Sequence, residues 1–152
     1  MPRLLVVHHS PTPRVRQIAD AVLRGTRYED LDGVEVIERP ALEATVQDVL
    51  EADGYILGTT ANFGYLSGAL KHFFDTTYYD VREATEKRPF SYWIHGGYDT
   101  TGAEQAMKSI TAGYGLVLVT PPLVFTGKTA EHHLEHAIEL GATVAATVLT
   151  RP

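Results

Sequence analysis

Short uninterrupted apolar runs alternate with stretches in which apolar residues recur every three or four positions. The first pattern belongs to strands buried on both faces, the second to amphipathic helices. Leu4-Leu5-Val6-Val7-His8 predicts a first strand, and residues 14–24, with Val15, Ile18, Ala19 and Val22 at helical spacing, predict the helix after it. Thr12 suits the N-cap and Pro13 the first helical position, where a missing N–H costs little. Val34-Glu35-Val36-Ile37 predicts a second strand, residues 41–50 a short helix, and Gly54-Tyr55-Ile56-Leu57-Gly58-Thr59 a third strand. A loop over 60–66 leads to a helix over 67–79; residues 80–89 are charged and expected at the surface. Residues 90–95 predict a fourth strand. Thr101 and Glu104 have the spacing of a capping box, which opens a helix to 112. Residues 116–119 predict a fifth strand, extended past Pro121-Pro122 by Leu123-Val124-Phe125. Residues 129–149 predict a last helix with Leu134, Ile138, Ala145 and Val148 inward. Such alternation predicts an α/β fold: a parallel sheet with helices on both faces.

Composition narrows the function classes. With 152 residues, 44% hydrophobic and 21% charged, the chain is expected to form one globular domain over 1–152. It has no cysteine, which excludes thiol catalysis, CxxC redox chemistry and Cys-ligated clusters and fits a reducing, cytoplasmic setting. A net charge of −6 argues against a nucleic-acid partner, which needs a basic field. The N-terminal apolar run is too short for a signal peptide, and no stretch approaches a membrane span, so no membrane partner is expected.

Ligands of parallel sheets bind outside the carboxyl ends of the strands, where strand order reverses. That directs attention to three loops. The first, His9-Ser10-Pro11-Thr12-Pro13-Arg14-Val15, joins a strand to a helix N-terminus. Orphan N–H groups gather there and suit a phosphate, with Ser10 and Thr12 hydroxyls and the Arg14 fork beside them. An ordinary capped turn reads equally well. The loop lacks G-x-G-x-x-G and G-x-x-x-x-G-K-[ST], so one phosphate is expected rather than two or three. The second loop holds Thr60, Ala61, Asn62, Phe63 and Gly64, then Tyr65. Asn62 can edge a planar ring, Phe63 and Tyr65 can stack on it, and Gly64 permits close backbone approach. The bland alternative is a surface turn with its aromatics folded onto the core. The third runs from Gly96 through Gly97, Tyr98 and Asp99 to Gly102. Tyr98 can stack and Asp99 can meet ring N–H groups; a flexible connection explains it as well. Together the loops describe a site for one phosphate and a flat, partly polar ring, and FMN fits that description.

The segment Ala52-Asp53-Gly54-Tyr55-Ile56-Leu57-Gly58-Thr59-Thr60-Ala61-Asn62-Phe63-Gly64-Tyr65-Leu66-Ser67-Gly68-Ala69-Leu70-Lys71-His72-Phe73-Phe74-Asp75 resembles the flavodoxin superfamily, in its NAD(P)H-dependent FMN reductase and quinone reductase branch. The resemblance implies a flavodoxin-like three-layer sandwich with a five-stranded parallel sheet in the order 2-1-3-4-5. It implies that Ser10, Thr12, Arg14 and Val15 hold the FMN phosphate, and that Thr60, Ala61, Asn62, Phe63 and Gly64 edge the ribityl chain and ring. His95, Gly96, Gly97, Tyr98 and Asp99 cover the other side. His95 and Tyr98 are the candidate catalytic residues, and Lys71 and Asp75 are structural. Pro13 stands where the family usually has Gly, and Val15 where Thr or Ser is common. Pro11 and Pro13 each remove an N–H donor.

The resemblance implies an FMN oxidoreductase that takes hydride from NADH or NADPH and reduces a quinone, free flavin or another small acceptor, with a homodimer expected on the same ground. The alternatives are a one-electron carrier and a flavodoxin-like module without FMN. His132, His133 and His136 form H-H-x-x-H and are read as a solvated helix face rather than a metal site. His8 is read as core-edge and His9 as loop. The acidic residues of a response regulator and the G-x-S-x-G elbow of an α/β-hydrolase are absent.

Overall fold

The computed structural model describes residues 1–151. Strand β1 (Arg3–His8) is followed by α1 (Pro13–Thr26) and a 3₁₀ turn at Glu29–Leu31. Next come β2 (Glu35–Pro40), α2 (Val46–Glu51), β3 (Gly54–Asn62), β4 (Tyr65–Leu66) and α3 (Gly68–Val81). The chain continues through β5 (Pro89–Gly96), α4 (Thr101–Gly113), β6 (Val117–Leu118), β7 (Leu123–Thr126) and α5 (Glu131–Thr150). The sheet runs β2-β1-β3-β5-β6, with β7 continuing alongside β5 and β4 folded back on β3. All pairings are parallel except β3 with β4. Counting β6 and β7 as one interrupted strand gives the expected order 2-1-3-4-5.

The central parallel strands β1, β3 and β5 are largely apolar because both of their faces are covered, whereas the edge strand β2 is half-buried and carries Glu35, Glu38 and Arg39. Leu5, Val7, Tyr55, Leu57, Tyr92 and Ile94 face α2, α3 and α4. Leu4, Val6, Ile56 and Trp93 face α1 and α5. Burying a side chain of this size is worth about 1.5–3 kcal/mol, so the two clusters dominate stability. Helices α1 and α5 cross with almost no gap. A Cβ on Gly25 would run into the Ile138 carbonyl oxygen, and one on Gly141 into the Val22 carbonyl oxygen.

Several expectations are corrected. The helix expected over 41–50 starts only at Val46: Thr45 caps it in a capping box with Asp48, and residues 41–44 turn back from β2. The third strand runs on to Asn62 and folds into a hairpin with β4. Phe63 and Gly64 form its tip, both at positive φ (53° and 75°), the pattern of a type I′ turn. Helix α3 extends to Val81, and Thr85, expected at the surface, is fully buried, donating to the Tyr114 carbonyl at 2.7 Å. Helix α4 is capped at Thr100, not Thr101. The Thr100 hydroxyl donates to Glu104 at 2.9 Å, while the Thr101 N–H goes to Asp99 Oδ1 at 3.0 Å. The fifth strand is two pieces, parted at residues 119–122 where Pro121 and Pro122 lack N–H donors. Among the described residues no helix is long and apolar enough to cross a membrane.

Candidate functional site

The carboxyl ends of β1, β3, β5 and β7 open onto one end of the sheet, and the loops that follow them meet there. The first is built on β1. Its last residue, His8, is 4% exposed, and its Nε2 lies 2.7 Å from Glu38 on β2. Its Nδ1 lies 2.8 Å from the Ser10 hydroxyl. The Thr12 hydroxyl caps α1 by accepting the Val15 N–H at 3.4 Å, and the Thr12 carbonyl accepts the Arg16 N–H. The Val15 side chain is buried in the core, so any part it plays in binding is limited to its backbone. The N–H groups of Ser10, Thr12 and Arg14 have no backbone acceptor among the described residues, whereas His9 donates to Gly58.

Beside this loop lies a cleft of about 550 Å³, lined by Arg14, Gln17, His95, Gly127, Lys128 and Thr129. It exceeds the hollow beside α5 at Tyr28 and Ala142, about 450 Å³, and the one between α3 and α4, about 360 Å³. Arg14 and Lys128 bring two cations to it. The donor set therefore fits a phosphate: two side-chain cations, the helix N-terminus and the Thr12 hydroxyl, with the Ser10 hydroxyl beside them bonded to His8. Gln17, Gly127, Lys128 and Thr129 were not singled out from sequence. Lys128 reaches the cleft because β7 carries the chain alongside β5 to this end of the sheet, with the Gly127 N–H bonded to the Gly96 carbonyl at 3.0 Å.

The second and third loops touch. The Gly64 carbonyl accepts the Ala103 N–H at 2.7 Å, and a Cβ on Gly102 would sit 2.6 Å from that same oxygen. Asp99 Oδ2 lies against Gly64, while Oδ1 holds the Thr101 N–H. The Thr101 backbone, then its hydroxyl, keeps the Asp99 carboxyl below the usual carboxylate range. One carboxylate oxygen of Asp99 is thus committed to the cap of α4. The Thr60 hydroxyl donates to Asn62 Oδ1 at 2.7 Å, which leaves the Asn62 amide N–H groups for a ligand. Phe63 and Tyr98 stand in solvent, 109% and 94% exposed, neither folded onto the core. Two bare aromatics on the loops at this end of the sheet suit stacking on a flat ring. A Cβ on Gly97 would meet nothing, so that backbone is open to a close partner.

His95 is half-buried, and its Nε2 sits 2.6 Å from the Gly127 carbonyl. A carbonyl only accepts, so Nε2 carries the proton and Nδ1 is the free atom. Among the described residues Tyr98 makes no side-chain hydrogen bond that would hold it for proton transfer, and its 94% exposure suits stacking. Lys71 pairs with Asp75 at 2.9 Å along the exposed face of α3. The histidines of α5 are not a uniformly solvated face. His132 is exposed, but the His133 ring stacks on Phe125 at 3.7 Å and its Nδ1 accepts the Ala130 N–H at 2.9 Å. His136 reaches the Pro121 carbonyl at 3.2 Å. Among the described residues no group of three or more His, Asp or Glu is placed to hold a metal.

A family model described as NADPH-dependent FMN reductase matches residues 14–148. The chain belongs to that family. The match starts at Arg14, so Ser10 and Thr12 stand on geometry. A flavodoxin of Aquifex aeolicus is 37% identical over 111 residues, 72% of this chain. The chain spans 58% of that relative. An NAD(P)H dehydrogenase (quinone) of Geobacter sulfurreducens is 25% identical over 173 residues, covering 94% of this chain and 83% of its own length. Among solved structures, a flavodoxin from the domain Archaea superposes with a TM-score of 0.80 at 18% identity, over 96% of this chain and 98% of its own. A flavodoxin, WrbA-like protein from Agrobacterium tumefaciens superposes at 0.77 and 18%, over the full length of both. These likenesses establish the flavodoxin-like fold, and the family match establishes the FMN reductase branch.

Proposed function

We propose that residues 1–152 form one FMN-binding domain that oxidises NADH or NADPH and reduces a quinone, a free flavin or another small acceptor. The observation that carries the reading is the convergence at one sheet end of a cationic cleft with two exposed aromatic side chains. Arg14, Lys128, Ser10 and Thr12 would hold the phosphate, with Val15 contributing only its backbone. Asn62, Gly64 and Gly97 would lie along the ribityl chain and ring edge, beside Thr60, Ala61, Gly96 and Asp99. Phe63 and Tyr98 would flank the ring. When bound, FMN supplies the electron chemistry between nicotinamide and acceptor. The protein's part is to orient it and to offer, on the cleft wall, His95 Nδ1, which makes no hydrogen bond among the described residues. The family match and the quinone dehydrogenase relatives support this reading. A homodimer and a cytoplasmic setting belong to the same proposal, the first on family resemblance and the second on the cysteine-free composition.

The test is an FMN titration of purified protein followed by NADPH and NADH oxidation with a benzoquinone. Tight binding of yellow flavin and acceptor-dependent nicotinamide oxidation are expected. A flavin-loaded protein that ignores both nicotinamides would move it to the second reading, a one-electron carrier, which the Aquifex flavodoxin relative favours.

A further inference from the structure

The phosphate loop has an unusual supporting layer. Glu38 Oε2, His8 and the Ser10 hydroxyl form a hydrogen-bonded chain with links of 2.7 and 2.8 Å, leading from β2 through the buried end of β1 to the loop. The same Glu38 oxygen also takes Arg16 Nη2 of α1 at 2.8 Å, so the chain is anchored to β2 and to the first turns of α1 together.

The chain fixes where each proton sits. The Glu38 carboxyl is held below its ordinary range by His8 and Arg16, against the opposing effect of its own burial, so it is a carboxylate and only accepts. His8 Nε2 must therefore carry the hydrogen. His8 itself is driven below the ordinary histidine value, chiefly by burial, with Glu38 pulling the other way. The remaining charged groups around the ring are on α1: Arg16, which opposes protonation, and Asp20, which favours it. β5 contributes the uncharged Trp93 ring, with centroids 5.6 Å apart, and β3 the backbone of Gly58, paired to His8. A neutral ring with hydrogen on Nε2 has a lone pair on Nδ1. The Ser10 hydroxyl then spends its only hydrogen on that lone pair and has none to give to an anion.

We propose that His8 is the proton partner of the phosphate loop. A phosphate monoester dianion arriving at Ser10 draws one proton from solvent onto His8 Nδ1; Ser10 then accepts from the imidazolium and turns its own O–H to the ligand. The proposal rests on the FMN reading above. One proton is taken up and no covalent bond changes. The gain is twofold: a hydroxyl donor is released, and a positive charge forms one hydrogen bond behind the dianion. Both offset the two donors that Pro11 and Pro13 remove from this loop. Glu38 is a positioning residue, holding the ring so that Nδ1 faces Ser10.

Calorimetric titration of FMN into the apoprotein reads the proton directly. Pairs of buffers with different ionisation heats, at about pH 7.5 and about pH 8.5, give the number of protons bound; phosphate monoesters ionise near pH 6, so the ligand is a dianion throughout. Uptake of roughly half a proton or more is expected at the lower pH, with the dissociation constant weakening by up to about tenfold per pH unit above it. In Ser10→Ala, whose side chain is small and at the surface end of the chain, uptake falls close to zero and affinity becomes flat with pH. Nitrogen NMR of the His8 ring should show Nε2–H alone in the free protein and both N–H groups with FMN. FMN binding without proton uptake, or with uptake unchanged in Ser10→Ala, overturns the proposal. If FMN does not bind, the cofactor reading fails, and glycerol phosphate, a simple monoester that is also a dianion at both pH values, decides this one in the same sample: uptake upholds it, none overturns it.

Discussion

Arg14 carries the most weight among single residues of the site. It is exposed at the first turn of α1 and lines the cleft with Lys128. A charge-assisted hydrogen bond to a phosphate is worth roughly 1.5–3 kcal/mol, so Arg14→Ala should weaken FMN binding about tenfold or more. Fluorescence titration of FMN measures it, and an unchanged dissociation constant would remove Arg14 from the phosphate site. Arg14 was legible in the sequence because a strand–helix turn needs no tertiary information. Lys128 was not, because it is brought to Arg14 by the pairing of β7 with β5. The link from Ser10 to Glu38 was hidden for the same reason: it depends on the β1–β2 register, which sets His8 opposite Pro40 and Glu38 two places before it.

The elements were mostly legible, since parallel strands covered on both faces appear as plain apolar runs. What escaped was local chemistry that outweighs pattern. Thr45 and Asp48 reset the start of α2, and Phe63-Gly64 turned an expected loop into a hairpin. The seam between α1 and α5 was equally invisible, because its glycines lie far apart in sequence. Gly141→Ala would press a methyl group against the Val22 carbonyl and drive the helices apart. Overpacking of this kind costs about 1–3 kcal/mol, which the shift in urea midpoint would report. A midpoint equal to wild type would show that the seam has slack.

At the scale of the whole molecule, stability should depend on acid through the His8–Glu38 pair. His8 has a folded value below its ordinary 6.5, so the unfolded chain binds the extra proton first and stability falls as pH drops through 6.5. Glu38, also lowered, contributes stability above its ordinary 4.5 that is lost as pH falls below it. Urea midpoints of the apoprotein should therefore decline between about pH 7.5 and pH 5.5, and decline again toward about pH 4. A flat first interval would mean that burial does not hold His8 neutral.

The break between β6 and β7 has a consequence for how molecules behave in company. A sheet margin with a continuous row of free N–H and C=O groups is a template for another chain's strand. Here that margin is two short pieces around Pro121 and Pro122, and the opposite margin, β2, carries Glu35, Glu38 and Arg39 and ends at Pro40. Neither border offers the long ladder on which fibrils are seeded, so a crowded solution of this protein is guarded against sheet-to-sheet aggregation by the same prolines that cut its fifth strand in two.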